Sequence, residues 1–569
     1  MRLFSQEQVD RFRELGWWAP AEEPDTLDAR FQSHVRARPD QVALVDAPNR
    51  PDFTQGEPRR LTWAEVARAA DGVASAFLRA GLGADDVIGV QLPNIVELAV
   101  VYVAGMQIGA IVSPFPAQYR EHEIVAMGNI AGFAALVTAA RVAGRDNAAN
   151  LDALRSEIPS LRTVLSFGDP LPAGVIPLDG ALAGPADPGE LAAYRAARTV
   201  DANDCLTLCW TSGTESDPKG VPRAHGDWLA IIRTTSGVPK LTSDSVLLCT
   251  FPMVNAGGVG GMYMPWLRDG CRLVLHHPFD LDTFLDQIGT ERITHSVSPP
   301  AILTQLLMEP ERLARTDLSS LRTMGSGSTT MLPFMIEGWE AMGVEIINFF
   351  GSNEGLSLTG CRLNIPDAAM RGSLLPRPGE HGLPTDVPTD VPTDRFVSER
   401  LVDPQTGEDI VEGNHPGELR LKGPAVFAGY WGGAGDPFDE QGYYKTGDVF
   451  EYLGDRLQYV SFLGRSKELI VRGGFKISPA EIEGMVQEHP KVAEVAAVGA
   501  PDDRLGERVC IFVVPRPGQT VTLDEIIDFL RERKVATFKL PERLELLDEL
   551  PRSAIGKVLK RDLRAQLTT

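Results

Sequence analysis

The chain has 569 residues, 77 of them acidic and 55 basic, for a formal net charge of −22. That length exceeds a single hydrophobic core and calls for two or more domains. The 43% apolar and 23% charged content is ordinary for a globular protein, and the acidic excess argues against broad contact with nucleic acid or an acidic membrane.

Met1-Arg2-Leu3-Phe4-Ser5 lacks the apolar core of a signal peptide. Six cysteines (205, 209, 249, 271, 361, 510) are too sparse for a disulfide framework and read as buried thiols, so the cytoplasm is the expected location. The longest apolar region, 98–115, is interrupted by Gln107 and two glycines; it reads as a buried helix entering a strand, with no transmembrane segment.

Ser5 and Gln8 form a capping-box pattern ahead of Val9, Phe12 and Leu15, and Thr62 and Glu65 repeat it ahead of Val66, Ala69, Val73 and Phe77. Apolar runs at 87–92, 135–137, 246–251, 272–275, 293–297 and 344–350 then alternate with helical segments. This rhythm predicts an α/β protein of βα units with largely parallel sheets, whose active site lies beyond the carboxyl ends of the strands.

The stretch Thr211-Ser212-Gly213-Thr214-Glu215-Ser216-Asp217-Pro218-Lys219-Gly220 follows the apolar run 205–210. Its small hydroxyls, glycines and single ammonium suit a polyphosphate, because a bulkier loop would hold its backbone N–H groups away. It is not a Walker A loop: Pro218 stands where that motif needs its second glycine. Taken alone, a glycine-serine turn with a solvated lysine would be the better explanation.

Residues 384–394 repeat Pro-Thr-Asp-Val, and a proline at every fourth position excludes a helix or sheet interior. An exposed insertion is expected there. From about Ser466 a smaller α/β unit begins, with capping patterns at Ser478/Glu481 and Thr522/Glu525 and strands expected at 492–498 and 509–514. We divide the chain into a large N-terminal domain, 1–464, containing a β-rich subdomain, and a small mobile C-terminal α+β domain, 465–569.

Several further motifs follow the loop in order. They are Phe350-Gly351-Ser352-Asn353-Glu354, Gly417-Glu418-Leu419, Gly429-Tyr430-Trp431, Tyr444-Lys445-Thr446-Gly447-Asp448, Gly464-Arg465-Ser466-Lys467-Glu468, Gly473-Gly474 and Gly556-Lys557. Together they resemble the adenylate-forming superfamily of acyl-CoA synthetases, adenylation domains and luciferases over almost the whole chain. Gln91-Leu92-Pro93-Asn94 and Tyr119-Arg120-Glu121-His122-Glu123 look most like fatty- or alicyclic-acid CoA ligases and aryl-acid adenylating enzymes.

The resemblance implies ATP, Mg²⁺ and coenzyme A as reactants, a small carboxylic acid as substrate, and an acyl-AMP intermediate. Thr211, Ser212, Gly213, Thr214 and Lys219 would hold the β- and γ-phosphates. Ser326, Gly327, Ser328, Phe350, Gly351, Ser352 and Asn353 would line the nucleotide site. Glu354 would be the metal ligand, Asp448 and Arg465 the ribose partners, Lys557 the catalytic lysine and Lys467 the hinge. Gly473 and Gly474 would admit the pantetheine arm, and Asn255, Gly257 and Gly258 would face the acyl pocket.

Departures from the family pattern stand at Glu215-Ser216, Asn255, Thr329-Thr330, Phe350 and Asn353. A separate acyl carrier protein in place of CoA, or a non-catalytic nucleotide-binding relative, are the alternatives. Homodimerisation is left open.

Overall fold

The computed structural model describes residues 1–18, 26–211, 218–327, 331–377, 397–473, 475–502, 504–553 and 557–567. The expected features at Ser212, Gly213, Thr214, Glu215-Ser216, Ser328, Gly474, Gly556 and the repeat 384–394 lie outside them.

Four sheets dominate the chain. The first has eight strands in the order 355–360, 345–352, 323–327, 295–297, 246–249, 272–275, 42–45 and 60–62. Its inner strands run parallel and its two edge strands antiparallel. The second has seven strands, of which 220–224 at one edge pairs antiparallel with 205–210.

Between these sheets lie the helices Trp63–Arg79 and Val96–Ile108. Every residue of the second helix is buried, Glu97 and Gln107 included, which explains why its apolar residues fall on every face. Gly109 ends it at φ 73°, and the chain enters the strand Ile111–Pro114, giving the helix-to-strand passage expected at 98–115.

A third, antiparallel sheet includes Gly417–Lys422, Tyr444–Leu453 and Tyr459–Arg465. A fourth begins at Ile470–Arg472 and is centred on the hairpin Val492–Asp502/Gly506–Pro515. The turn 466–469 joins the two.

The capping boxes at Ser5, Thr62 and Thr522 close in both directions. At Ser478 half of the box forms. The hydroxyl accepts from Glu481 N, but the Glu481 carboxylate binds Lys539 Nζ at 2.6 and 2.8 Å instead of the cap backbone.

Strand ends also shift. The run 246–251 stops at Cys249, where Thr250 Oγ1 donates to Val297 O, and Pro252 follows soon after. The run 293–297 starts at His295, because Ile293 N still donates to Ile288 O at the end of the preceding helix. All six cysteines are buried and free, and no described helix is long and apolar enough to cross a membrane.

Candidate active site

The strand Cys205–Trp210 delivers Thr211 to the mouth of the sheets, and the edge strand returns at Gly220. Thr211 and Lys219 close the base of the intervening loop mutually. Thr211 N donates to Lys219 O at 3.0 Å and Lys219 N donates to Thr211 Oγ1 at 3.2 Å. The Lys219 ammonium lies 4.9 Å from the centre of the Tyr430 ring. The same tyrosine donates its hydroxyl to Glu354 Oε1 at 3.0 Å. Tyr430 therefore links the cation of the expected phosphate loop to the carboxylate expected to hold metal, and burial and Glu354 both raise its pKa.

Glu354 sits in the turn between the antiparallel strands Glu345–Ser352 and Gly355–Gly360. Gly355 follows at φ 147°, where a Cβ would approach Val426 Cα to 2.7 Å, so the turn needs glycine. The backbone around it is held by a buried arginine. Arg223 Nε and one terminal nitrogen donate to Asn353 O at 3.0 and 2.6 Å, and the other donates to Ala425 O at 2.8 Å. Asp227 pairs with Arg223 at 3.3 Å, both side chains being fully buried. Burial pushes the Asp227 carboxyl up to about 6 against the pull of Arg223.

Asn353 uses both ends of its amide on backbone. Oδ1 accepts from Ala256 N at 2.7 Å, and Nδ2 donates to Trp210 O at 2.8 Å. It thereby joins the segment that starts the expected acyl pocket to the strand that ends at the expected phosphate loop. Asn255 caps the π-helical segment Ala256–Tyr263, accepting from Gly257 N at 3.0 Å and Gly258 N at 3.3 Å. Gly257 is exposed, and Gly258 is packed against the Pro252 carbonyl.

Ser326 is buried and donates its hydroxyl to Ser298 O at 2.8 Å. A Cβ on Gly327 would collide with Phe349 O. Ser352 turns its hydroxyl back to Gly355 O at 3.2 Å, and Gly351 is exposed. Phe350 is half-buried, edge-on to Phe450 at 5.1 Å and tilted against Phe462 at 5.6 Å, so one part of its ring belongs to an aromatic cluster.

Asp448 is nearly inaccessible, at 3% exposure. Arg465 Nε stands 2.8 Å from its Oδ1 but off the N–H axis, so that oxygen has no directed hydrogen bond among the described residues. Burial pushes the Asp448 carboxyl up to about 6, with Arg465 opposing, Glu354 reinforcing and Lys557 opposing.

Lys557 comes from the far side, within the final segment that packs on the fourth sheet. Its side chain is exposed at the surface of that segment. Desolvation and Arg465 lower its pKa, while Asp448, Glu354 and Glu468 raise it. Glu354, Asp448, Arg465 and Lys557 thus lie close enough to influence one another electrostatically. Gly473 sits at φ 57° in the exposed turn between 470–472 and 475–477. Among the described residues no group of three or more His, Cys, Asp or Glu side chains could hold a metal ion by itself.

The family model described as AMP-binding enzyme matches residues 31–431, and that for the AMP-binding enzyme C-terminal domain matches 481–557. The chain belongs to the AMP-binding enzyme family. Within that family it is 34% identical over 425 residues to an indoleacetate–CoA ligase of Aromatoleum aromaticum, covering 73% of this chain and 76% of the relative. It is 31% identical to a 2-hydroxy-7-methoxy-5-methyl-1-naphthoate–CoA ligase of Streptomyces carzinostaticus, covering 98% and 95%. Among solved structures, ATP-bound MatB from Rhodopseudomonas palustris superposes with a TM-score of 0.77 at 26% identity, covering 95% of this chain and 99% of the other.

Two residues of this candidate site were not singled out from the sequence. Tyr430 lay within a quoted motif, but nothing nearby announced a bond to residue 354. Arg223 has no local signature at all, since its acceptors are 130 and 202 residues away.

Proposed function

We propose that the protein is an ATP-dependent carboxylic acid–CoA ligase working through an acyl-AMP. This reading is supported by Tyr430, which joins the Lys219 ammonium to the Glu354 carboxylate, with Asp448, Arg465 and Lys557 within electrostatic reach of that carboxylate. A carboxylate is a poor acyl donor because oxide would have to leave. Its attack on the α-phosphorus of ATP breaks the bond to the β-phosphate oxygen and releases pyrophosphate. The CoA thiolate then attacks the acyl carbon, the carbon–oxygen bond to phosphate breaks, and AMP leaves.

In the first step two anions must meet, so positioned cations matter more than a covalent nucleophile. The ammonium of Lys557 bridges the acid and the α-phosphate. Lys219 and Thr211, with Ser212, Gly213 and Thr214, hold the outer phosphates. Asp448 accepts from the ribose hydroxyls through the oxygen that lacks a directed donor, and Arg465 flanks it. The outer face of Phe350 stacks on adenine.

Mg²⁺ is commonly held by one or two carboxylates together with substrate phosphates. Glu354 fits that donor set, because Tyr430 engages only Oε1 among the described residues. When bound, the ion neutralises charge on the departing pyrophosphate. Lys467 serves as the hinge between the two half-reactions, with Gly473 and Gly474 turned to the thiol in the second. The buried, free cysteines support a reducing, cytoplasmic setting.

The acid is a bulky, ring-bearing carboxylate. The small-residue wall Gly257–Gly261 and the indoleacetate and naphthoate ligases among the relatives support this class. A carboxylate panel in a pyrophosphate-exchange assay tests it. Exchange with aryl or arylacetic acids and none with acetate is expected; silence across the panel overturns the reading. Acylation of a separate carrier protein, with CoA inert, would reassign the acceptor and leave the adenylation step intact.

A further inference from the structure

The turn 466–469 is tied to the two neighbouring sheets by contacts that sit one residue apart. On one side, Ser466 N donates to Gly447 O at 2.8 Å, and Arg465 lies in register with Asp448 on the adjacent strand. Both contacts belong to the third sheet. On the other side, the helix Lys560–Leu567 reaches back to the turn. Arg564 donates from its two terminal nitrogens to Lys467 O and Glu468 O, each at 3.0 Å. One turn earlier on the helix, Lys560 Nζ lies 2.7 Å from Glu483 and 3.9 Å from Glu468.

We infer that Arg564 is a positioning residue that makes the Lys467 and Glu468 carbonyls part of the small C-terminal unit, confining domain rotation to the backbone torsions of Ser466 and Lys467. A planar guanidinium holding two successive carbonyls fixes their peptide planes, as a point charge on a flexible stem does not. Among the described residues, the backbone torsions between this turn's hydrogen bond to the third sheet, at Ser466 N, and its first to the final helix, at Lys467 O, are those of residues 466 and 467. Two hydrogen bonds cross this interval, from Glu468 N at 2.9 Å and Leu469 N at 3.1 Å to Arg465 O. Rotation at these torsions must break both. Lys557 precedes the same helix, so Arg564 also sets where the catalytic ammonium stands relative to the pivot.

This inference rests on the two-step reading above, but its first test needs no substrate. Trypsin cutting after Lys467 must distort the very carbonyl that Arg564 holds. In the full-length protein, Arg564→Ala is expected to speed cleavage at Lys467 by about 10-fold, the effect of losing charge-assisted hydrogen bonds. Arg564→Lys should fall between, and Arg561→Ala, whose partner is Asp562 on the same helix, should match the parent. In turnover, Arg564→Ala should lower kcat while leaving KM for ATP unchanged. Arg564→Lys keeps charge and stem should the alanine variant fail to fold. Cleavage at Lys467 unchanged in both variants overturns the clamp. Faster cleavage with unchanged kcat overturns its part in catalysis. Absence of pyrophosphate exchange in the parent would instead count against the ligase reading and leave the cleavage result standing.

Discussion

Arg465 and Asp448 face one another as register partners on adjacent strands, and Arg465 Nε lies 2.8 Å from Asp448 Oδ1. Desolvation is the larger influence on this carboxyl, raising it from 3.8 to about 6 despite the arginine. The folded chain therefore holds the proton more tightly than the unfolded chain. This group's contribution to stability is present at low pH and lost as pH rises from 3.8 through about 6. Nucleotide binding has the opposite sign, since the ionised form accepts from both ribose hydroxyls. KM for ATP should rise as pH falls below about 6 and be flat above it. Asp448→Asn should abolish that step and weaken ATP by about 10-fold or more, the range for hydrogen bonds to a charged group. A parent profile without the step would contradict the assignment.

Lys557→Ala should separate the half-reactions. Pyrophosphate exchange should fall by about 10²–10³, the usual loss when a transition-state donor is removed. Thioester formation from supplied acyl-AMP should stay close to parent. Equal loss in both assays would sink the rotation model.

Removing Arg223 leaves Asp227 buried and unpaired and releases the carbonyls of Asn353 and Ala425. Arg223→Ala should cost about 3–5 kcal/mol in urea unfolding, as for other broken buried pairs. Arg223→Lys should not restore it, because one ammonium cannot match three directed contacts. A loss below about 1 kcal/mol would show that the pair is not structural.

Two glycines of one segment should behave oppositely. A Cβ at Gly258 would strike the Pro252 carbonyl, whereas one at Gly261 meets nothing within 4 Å. Gly258→Ala should cost about 1–3 kcal/mol by overpacking and raise KM for the acid. Gly261→Ala should change stability by less than about 0.5 kcal/mol. Thermal unfolding of the two variants side by side decides it.

Glu354→Gln should shift the Mg²⁺ dependence of exchange to higher concentration by about 10-fold, as expected when a charged ligand becomes neutral. Tyr430→Phe, which keeps the ring under Lys219 and removes the donor to Glu354, should shift it far less. An unchanged Mg²⁺ profile in Glu354→Gln would remove the carboxylate from the metal site.

The helix starts at Ser5, Thr62 and Thr522 were legible because a capping box involves residues three apart, whose encounter needs no tertiary fold. The half-formed box at Ser478 marks the limit of that logic, since Glu481 is drawn off by Lys539, distant in sequence. Strand existence was legible from apolar runs; strand ends were not, because Ile293 is still bonded to the preceding helix. At the site, Glu354, Asp448 and Lys557 stood out through ordered motifs. The structural uses of Asn353 and Ser326 did not, because their partners are backbone groups of other segments.

By itself the sequence determined the alternation of strands and helices, the buried helix entering a strand within 98–115 and the ordered polar motifs, because these depend on local periodicity and residue type. Tertiary structure decided which charges influence one another. Asp448 is shifted by burial, and Lys557 is brought into the same field from another part of the chain. Arg223 and Arg564 reach carbonyls no spacing rule connects to them. Desolvation and directed hydrogen bonds act across space, so their strength is set only once the sheets have packed.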